Sequence, residues 1–171
     1  MSRWLPLVLA LIGAWAVVAL VWAALAYGRE KPMIVPLNRG DIDVLARTLY
    51  GEARGEDVKG MQAVAWVVVN RVRKGAPRFQ TTVNGVVKAP HQFSCWNQSD
   101  PNAKLCAAVS EKDPLFALAL FAAAGVLSGE VRDMTGGADH YHADWMRPFP
   151  GWTKAMTKTA VIGNHIFYRD G

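Results

Sequence analysis

The feature that most constrains the fold is a pair of predicted helices joined by the short turn Gly51-Glu52-Ala53-Arg54-Gly55-Glu56. Apolar residues recur at helical spacing over residues 42–51, which predicts the first helix. The second helix is predicted over residues 58–73, with Asp57 as its N-terminal cap. Because apolar side chains cover nearly all sides of this second helix, we predict that it is the buried centre of the domain.

Glu52 lies where the first predicted helix ends and the turn begins. A carboxyl at such a position can project into a cleft while the two helices hold its backbone. The flanking glycines allow close approach of a substrate chain, and Tyr50 and Ala53 are neighbours that can desolvate the carboxyl and raise its pKa. The residues alone equally allow a surface carboxylate with a structural role. We assign that structural role to Glu56, which lies at the start of the next helix, where the helix dipole favours negative charge.

The rest of the chain predicts further helices and a small amount of strand. Capping residues and Asp-Pro pairs predict three helices, near residues 83–88, 101–110 and 114–128. After two glycines the pattern changes, and residues 138–142 and 165–168 are typical of two short strands that pair with each other. We therefore expect a mainly α (α+β) domain with a small β-hairpin over residues 41–171.

The N-terminus carries an uninterrupted apolar run over residues 5–27. This run is long enough to cross the ~30 Å hydrocarbon core of a membrane as a helix. We expect a signal-anchor transmembrane helix over residues 1–28, followed by a linker over residues 29–40. A cleavable signal peptide is the alternative, because Ala24-Leu25-Ala26 is typical of a cleavage site.

Composition and charge narrow the class of partner. The formal net charge is +5 over 171 residues, a modest excess that favours anionic surfaces such as the cell wall. No block of Lys and Arg with interleaved aromatics is present, so we expect no nucleic-acid partner. Several of the seven Trp residues lie among polar residues, as Trp145 and Trp152 do, which is typical of a carbohydrate-facing groove.

Five sequence blocks in a fixed order carry a resemblance to a known family. They are Tyr50-Gly51-Glu52-Ala53-Arg54-Gly55-Glu56, Val69-Asn70-Arg71-Val72, His91-Gln92-Phe93-Ser94, Gly137-Ala138-Asp139-His140-Tyr141-His142 and Ile162-Gly163-Asn164-His165-Ile166-Phe167-Tyr168. From about residue 41 to residue 168 the chain resembles the SleB/CwlJ-type cell-wall hydrolases, named for the spore cortex-lytic enzymes. The resemblance implies a lysozyme-like domain that degrades peptidoglycan without a cofactor, with Glu52 as the catalytic acid.

A second catalytic carboxylate is not evident from the sequence. Asp139 and Asp144 are candidates, but neither is close to Glu52 in sequence. The family resembles lytic transglycosylases and goose-type lysozymes, in which one Glu serves first as acid and then as base. We therefore favour non-hydrolytic cleavage between N-acetylmuramic acid and N-acetylglucosamine, which leaves a 1,6-anhydro end, over hydrolysis by a muramidase.

A polar and aromatic segment follows the predicted third helix. Gln92, Phe93, Ser94 and Trp96 combine amide and hydroxyl groups with aromatic faces, which is the mixture that binds sugars. We predict that these residues form part of the substrate wall. A polar loop without a binding role is the competing interpretation.

His140, Tyr141 and His142 are predicted to line the substrate as well. Residues 140 and 142 of a strand share a face, so this histidine pair could instead hold zinc. A zinc-dependent N-acetylmuramoyl-L-alanine amidase is therefore the second enzymatic interpretation, although we expect no metal. A third interpretation is a catalytically inactive, membrane-anchored wall-binding module.

The two cysteines, Cys95 and Cys106, leave two interpretations open. Outside the cytoplasm they can form a disulfide, and they can equally remain separate thiols. A cysteine nucleophile is disfavoured, because the flanking signature of cysteine hydrolases is absent.

The expected location follows from these predictions. We expect a single-pass protein of the inner (cytoplasmic) membrane whose catalytic domain faces the periplasm and whose partner is peptidoglycan. The sequence allows both a phage endolysin and a bacterial wall-remodelling enzyme, and it does not determine the oligomeric state.

Overall fold

The computed structural model describes residues 38–97 and 99–171. In this part of the chain the α-helices are α1 (Arg39–Ala53), α2 (Val58–Lys74), α3 (Val83–Val87), α4 (Ala103–Ala108) and α5 (Pro114–Leu127). The strands are β1 (His140–Ala143), β2 (Thr157–Ile162) and β3 (His165–Arg169), and short 3-10 helices cover Ser94–Trp96 and Gly151–Ala155. The prediction of a mainly α domain is confirmed.

The predicted signal-anchor helix over residues 1–28 lies outside the described residues, as does nearly all of the linker over residues 29–40. Within the described ranges, none of the helices combines the length and apolarity needed to span a membrane.

Helix α2 is the buried centre of the domain, as predicted. Its residues 63–69 are almost completely shielded from solvent, and the helix packs against α1, α3 and α5. Asp57 caps it by accepting the backbone N–H of Gly60 at 2.8 Å. Gly75 ends it with a positive φ of 59°, which glycine adopts without a steric penalty. The apolar run therefore acts as the core around which the other helices pack.

Two predicted helix boundaries need correction. Helix α1 starts at Arg39 and not at the predicted residue 42, because the side chain of Asn38 accepts the N–H of Gly40 at 2.8 Å. Asp41, directly before the predicted start, lies in the first turn. Helix α4 is shorter than the predicted 101–110, since Asp100 binds the N–H of Asn102 at 2.7 Å in a turn that precedes the helix.

The predicted β-hairpin is a three-stranded antiparallel sheet in the order β1-β3-β2. The predicted pairing of the first and last strands is confirmed, with Tyr141 opposite Phe167. The prediction missed β2, which pairs with the other side of β3. Strand β2 is mostly exposed or half-buried, so it lacks the apolar signal that identifies a buried strand.

A buried polar junction joins α2 to β1. Asn70 donates to the backbone oxygen of Ala138 at 3.0 Å and to Asp133 at 2.9 Å. Arg71 donates from Nε to the backbone oxygen of Asp139 at 2.7 Å. Because both donors are buried, these bonds fix the start of β1 against the central helix.

The two cysteines pack against the end of α1. Cys95 and Cys106 are free thiols in the structure, and both are buried. A Cβ atom added to Gly51 would lie 2.5 Å from the Cβ of Cys95 and 2.9 Å from its sulfur. Glycine at position 51 therefore allows the Ser94–Trp96 turn to approach α1 next to Glu52.

We predict that Gly51→Ala destabilises the domain. The overpacking costs about 1–3 kcal/mol and outweighs the gain in helix propensity of about 1 kcal/mol. Gly55→Ala is the matched control, because a Cβ at residue 55 would have no atom of the described residues within 4 Å apart from its chain neighbours. Urea unfolding measures both variants, and a Gly51→Ala protein as stable as the parent would contradict the close packing.

Candidate active site

One cleft contains Glu52, the predicted catalytic residue, together with residues from each of the five sequence blocks described above. Its volume is about 580 Å³. It lies between the α1–α2 turn, the loop at Gln92, strand β1, the loop after β1 and the β2–β3 turn. The side chains that line it are Glu52, Ala53, Glu56, Arg71, Gln92, Tyr141, His142, Ala143, Trp145, Met146, Pro150, Trp152, Asn164 and His165, with Gly55.

Glu52 is held in the cleft by two hydrogen-bond donors. Its Oε1 accepts the backbone N–H of Ser94 at 3.1 Å, and its Oε2 accepts the hydroxyl of Tyr141 at 3.3 Å. Burial raises the pKa of Glu52 and outweighs the two hydrogen bonds, which favour the charged form. The carboxyl can therefore hold a proton at a higher pH than an exposed glutamate can.

Tyr141 remains a neutral hydrogen-bond donor at this position. Burial, followed by the nearby charge of Glu52, raises its pKa well above the ordinary tyrosine value. Its ring packs edge-to-face on His165, with ring centres 5.1 Å apart, and lies 5.9 Å from the ring of Phe167. This packing fixes the direction from which the hydroxyl reaches Glu52.

Arg71 positions Gln92 at the cleft wall. The guanidinium donates from Nη1 to Oε1 of Gln92 at 3.1 Å. Its central carbon lies 5.5 Å from the ring of Phe79 and 5.3 Å from the ring of Phe93, so two aromatic faces stabilise the buried cation. Since Arg71 occupies Oε1, the amide NH₂ of Gln92 is the group available for substrate.

A second carboxylate, Glu56, also lines the cleft. It accepts the backbone N–H of Asn164 at 3.1 Å and the side-chain amide of the same residue at 3.0 Å. His165 Nδ1 lies 3.7 Å from it. These contacts tie Glu56 to the β2–β3 turn and agree with the structural role assigned from the sequence.

The other candidates for a second carboxylate, Asp139 and Asp144, do not line the cleft. Asp139 is fully buried and pairs with Lys74 at 2.5 Å and with His140 at 2.8 Å. Burial raises the pKa of Asp139, but these partners outweigh it and hold the pKa below the ordinary value. Asp139 therefore stabilises the junction of α2 and β1 as a permanent anion.

The structure separates the four predicted wall residues after α3. Gln92 is exposed and lines the cleft, and Ser94 reaches Glu52 through its backbone N–H. Phe93 is 1% exposed and packs under Arg71, so it cannot contact substrate. Trp96 donates its indole N–H to Thr48 at 3.0 Å and lies outside the cleft. Phe93 and Trp96, the aromatic residues of the predicted wall, therefore pack against other parts of the protein and do not line the cleft.

The histidine pair shares one face of β1, as the strand period predicted. Both rings contact Trp152, with centres 5.3 Å away for His140 and 5.8 Å for His142. His142 lines the cleft, but its Nδ1 lies 2.8 Å from the backbone oxygen of Ala143 and its Nε2 lies 3.2 Å from the hydroxyl of Tyr168. His140 lies behind it, bonded to Asp139.

Among residues 38–97 and 99–171, no three His, Cys, Asp or Glu side chains are grouped so that they could hold a metal ion.

The aromatic wall of the cleft comes instead from the loop after β1. Trp145 is 74% exposed and Met146 lies beside it. Arg147 donates to the backbone oxygens of Asp144 and Met146, which braces this loop. The position of Trp145 and Trp152 among polar residues was the sequence signal for this wall.

Comparison with known proteins agrees with this geometry. Residues 55–168 match the family model described as cell wall hydrolase, and the match begins just after Glu52. The spore cortex-lytic enzyme of Halalkalibacterium halodurans is 33% identical over 141 residues, which cover 81% of this chain and 38% of the relative. The chain therefore spans less than half the length of this curated relative.

Solved structures match over nearly their whole length. The catalytic domain of the Bacillus cereus SleB protein superimposes with a TM-score of 0.59 at 28% identity and covers 83% of this chain and 99% of that one. The catalytic domain of the germination-specific lytic transglycosylase SleB from Bacillus anthracis gives 0.58 at 29% identity, covering 79% and 98%. The fold, the family model and the spore cortex-lytic relative agree that this chain belongs to the cell wall hydrolase family of SleB and CwlJ.

Proposed function

We propose that this chain degrades peptidoglycan by cleaving the glycan strand between N-acetylmuramic acid and N-acetylglucosamine, with Glu52 as acid and then base. The observation that carries the proposal is the placement of Glu52. Its carboxyl lies in an open cleft, is fixed by two donors, and has a pKa raised by burial. Those are the requirements for a general acid in glycosidic cleavage.

The reaction proceeds in two steps with one carboxyl. Protonated Glu52 gives its proton to the glycosidic oxygen as the bond to C1 of the muramic acid breaks. The resulting carboxylate then takes the proton of the muramic acid 6-hydroxyl as that oxygen bonds to C1, which leaves a 1,6-anhydro end. Glu56, the other carboxylate of the cleft, is bound to Asn164, which supports the single-carboxylate route over hydrolysis with two.

The zinc amidase alternative receives less support from the geometry. Both ring nitrogens of His142 already lie within hydrogen-bond distance of protein oxygens, and His140 is bonded to Asp139. The inactive wall-binding alternative does not require a carboxyl with a raised pKa in the cleft. Both alternatives are decided by the product analysis below.

The location of the enzyme is also a proposal. The apolar run over residues 5–27 supports a single-pass anchor in the inner membrane, with the described domain on the periplasmic side facing peptidoglycan. An endolysin and a wall-remodelling enzyme both fit this arrangement.

We predict that Glu52→Gln lowers the rate of glycan cleavage by about 10²–10⁴-fold, because it removes the general acid. Glu56→Gln is the matched control and should stay within about tenfold of the parent rate, since its role is structural. Mass spectrometry of digested peptidoglycan, with and without EDTA, measures the products of the full chain and of both variants.

Anhydromuropeptides that persist in EDTA and disappear with Glu52→Gln are the expected products. Reducing muramic acid ends would instead show that water, and not the 6-hydroxyl, attacks C1 in the second step, which is hydrolysis. Release of free stem peptides that EDTA abolishes would contradict the proposed function and favour the amidase.

We predict that Tyr141→Phe moves the alkaline limb of the pH–rate profile to higher pH. The tyrosine hydroxyl stabilises the carboxylate form of Glu52, so its removal raises the pKa of Glu52 further and keeps the acid protonated to higher pH. Tyr168→Phe is the control, because that hydroxyl bonds His142 instead. If the alkaline limb of Tyr141→Phe stays at the same pH or moves to lower pH, this hydrogen bond does not act on the catalytic acid.

A further inference from the structure

Strand β1 is an edge strand whose outer side lies on the cleft. The sheet order is β1-β3-β2, so among the described residues β1 pairs only with β3. Tyr141, His142 and Ala143 all line the cleft. The backbone groups on the outer side of β1 therefore belong to the wall of the site.

The register fixes which backbone groups point outward. Asp144 donates its N–H to the backbone oxygen of Asn164 at 2.8 Å, and His142 lies opposite Ile166. Hydrogen-bonded pairs alternate along an antiparallel ladder, so residues 142 and 144 bond to β3. Residues 141 and 143 consequently direct their N–H and C=O groups away from β3. Just before the strand the pattern is irregular, because Asp139 donates its N–H to the backbone oxygen of Tyr168 in β3 at 3.0 Å.

Two backbone carbonyls along this edge, those of Asp139 just before β1 and of Ala143 at its end, already have partners. Arg71 Nε donates to the oxygen of Asp139 at 2.7 Å, and the N–H of Met146 donates to the oxygen of Ala143 at 3.1 Å. Within the described residues, no hydrogen bond is recorded for the outward N–H and C=O of Tyr141 or for the N–H of Ala143. The edge thus presents a donor, an acceptor and a second donor, with the two N–H groups about 7 Å apart.

We propose that this free edge of β1 is a binding site for the N-acetyl group of a substrate sugar, with the N–H of Ala143 or Tyr141 donating to the acetyl oxygen. The inference rests on the proposed function, because the edge lies beside Glu52 in the same cleft. Tyr141 contributes to both the catalytic site and the proposed N-acetyl site. Its hydroxyl bonds Glu52, and its backbone forms part of the edge.

The chemistry of the edge favours an amide ligand. Backbone N–H and C=O groups are the natural partners of a secondary amide, as in the addition of a strand to a sheet edge. A site that hydrogen-bonds a substrate amide discriminates against an analogue without it, because its own polar groups are then left unpaired. The edge would therefore make the enzyme selective for N-acetylated over N-deacetylated glycan.

The first test measures backbone amide exchange by NMR in the full chain carrying Glu52→Gln, which binds without cutting. The ligands are glycan strands freed of stem peptides, used as N-acetylated, chemically N-deacetylated and re-acetylated samples. We expect at least about tenfold slower exchange at Ala143 or Tyr141 with the acetylated and re-acetylated strands only. His142 is the internal control, since its N–H already bonds within the sheet. Equal protection by all three ligands, or none, would overturn the proposal.

The second test removes the donor with Ala143→Pro. Proline lacks an N–H and is tolerated where that group faces away from the sheet. We expect about tenfold lower kcat/KM on N-acetylated strands and a smaller loss on N-deacetylated ones. Val161→Pro is the matched control: Val161 lies in β2, the opposite edge strand, outside the cleft, and pairs with Ile166. An unchanged substrate ratio in Ala143→Pro, or a loss seen only when stem peptides are present, would overturn the proposal.

Failure of this inference can be told apart from failure of the proposed function. If Glu52→Gln abolishes cleavage but no acetyl-dependent protection is seen, the proposed N-acetyl site is contradicted and the proposed glycosidase function is supported. If protection is seen but the parent chain releases no glycan fragments, the proposed N-acetyl site is supported and the proposed glycosidase function is contradicted.

Discussion

The cleft depends on the buried polar junction made by Asn70 and Arg71 of the central helix. Asn70 and Arg71 bind the backbone oxygens of Ala138 and Asp139, the two residues just before β1, and Arg71 also binds the side chain of Gln92. One pair of adjacent residues thus sets the distance between the helical core, the edge strand and the opposite cleft wall. Burying a guanidinium is costly unless its donors are satisfied, and the rings of Phe79 and Phe93 offset part of that cost.

The same arrangement explains how a carboxyl with a raised pKa is kept in place. Glu52 is desolvated, which favours its protonated form, yet it accepts bonds from Ser94 and Tyr141, which hold the oxygen atoms in position and moderate the shift. An acid that must later act as a base benefits from this balance, because both protonation states stay accessible. Ser94 reaches Glu52 only because Gly51 lets the Cys95 turn pack directly against α1.

Sequence patterns predicted the fold well where the structure depends on residues that are neighbours in the chain. Asp57 caps α2 as predicted, and Thr82 and Asp113 cap two of the helices that capping residues and Asp-Pro pairs predicted, because capping depends mainly on residues that are neighbours in the chain. Strand β2 and the burial of Phe93 depend on distant partners, β3 and Arg71, that periodicity does not encode. For the site, the position of Glu52 at a helix end predicted its place in the cleft. The contacts of Glu56 with Asn164 and the place of β1 along the cleft could not be read from side-chain types.

The most direct test of this account is the pKa of Glu52 itself, measured by following its side-chain carboxyl carbon by NMR through a pH titration. The account predicts a value above the ordinary 4.5 of a glutamate, because burial dominates its surroundings. Tyr141→Phe, titrated in parallel, should raise it further. A pKa at or below the ordinary value would mean that Glu52 is a permanent anion, and would contradict its role as the acid of the reaction.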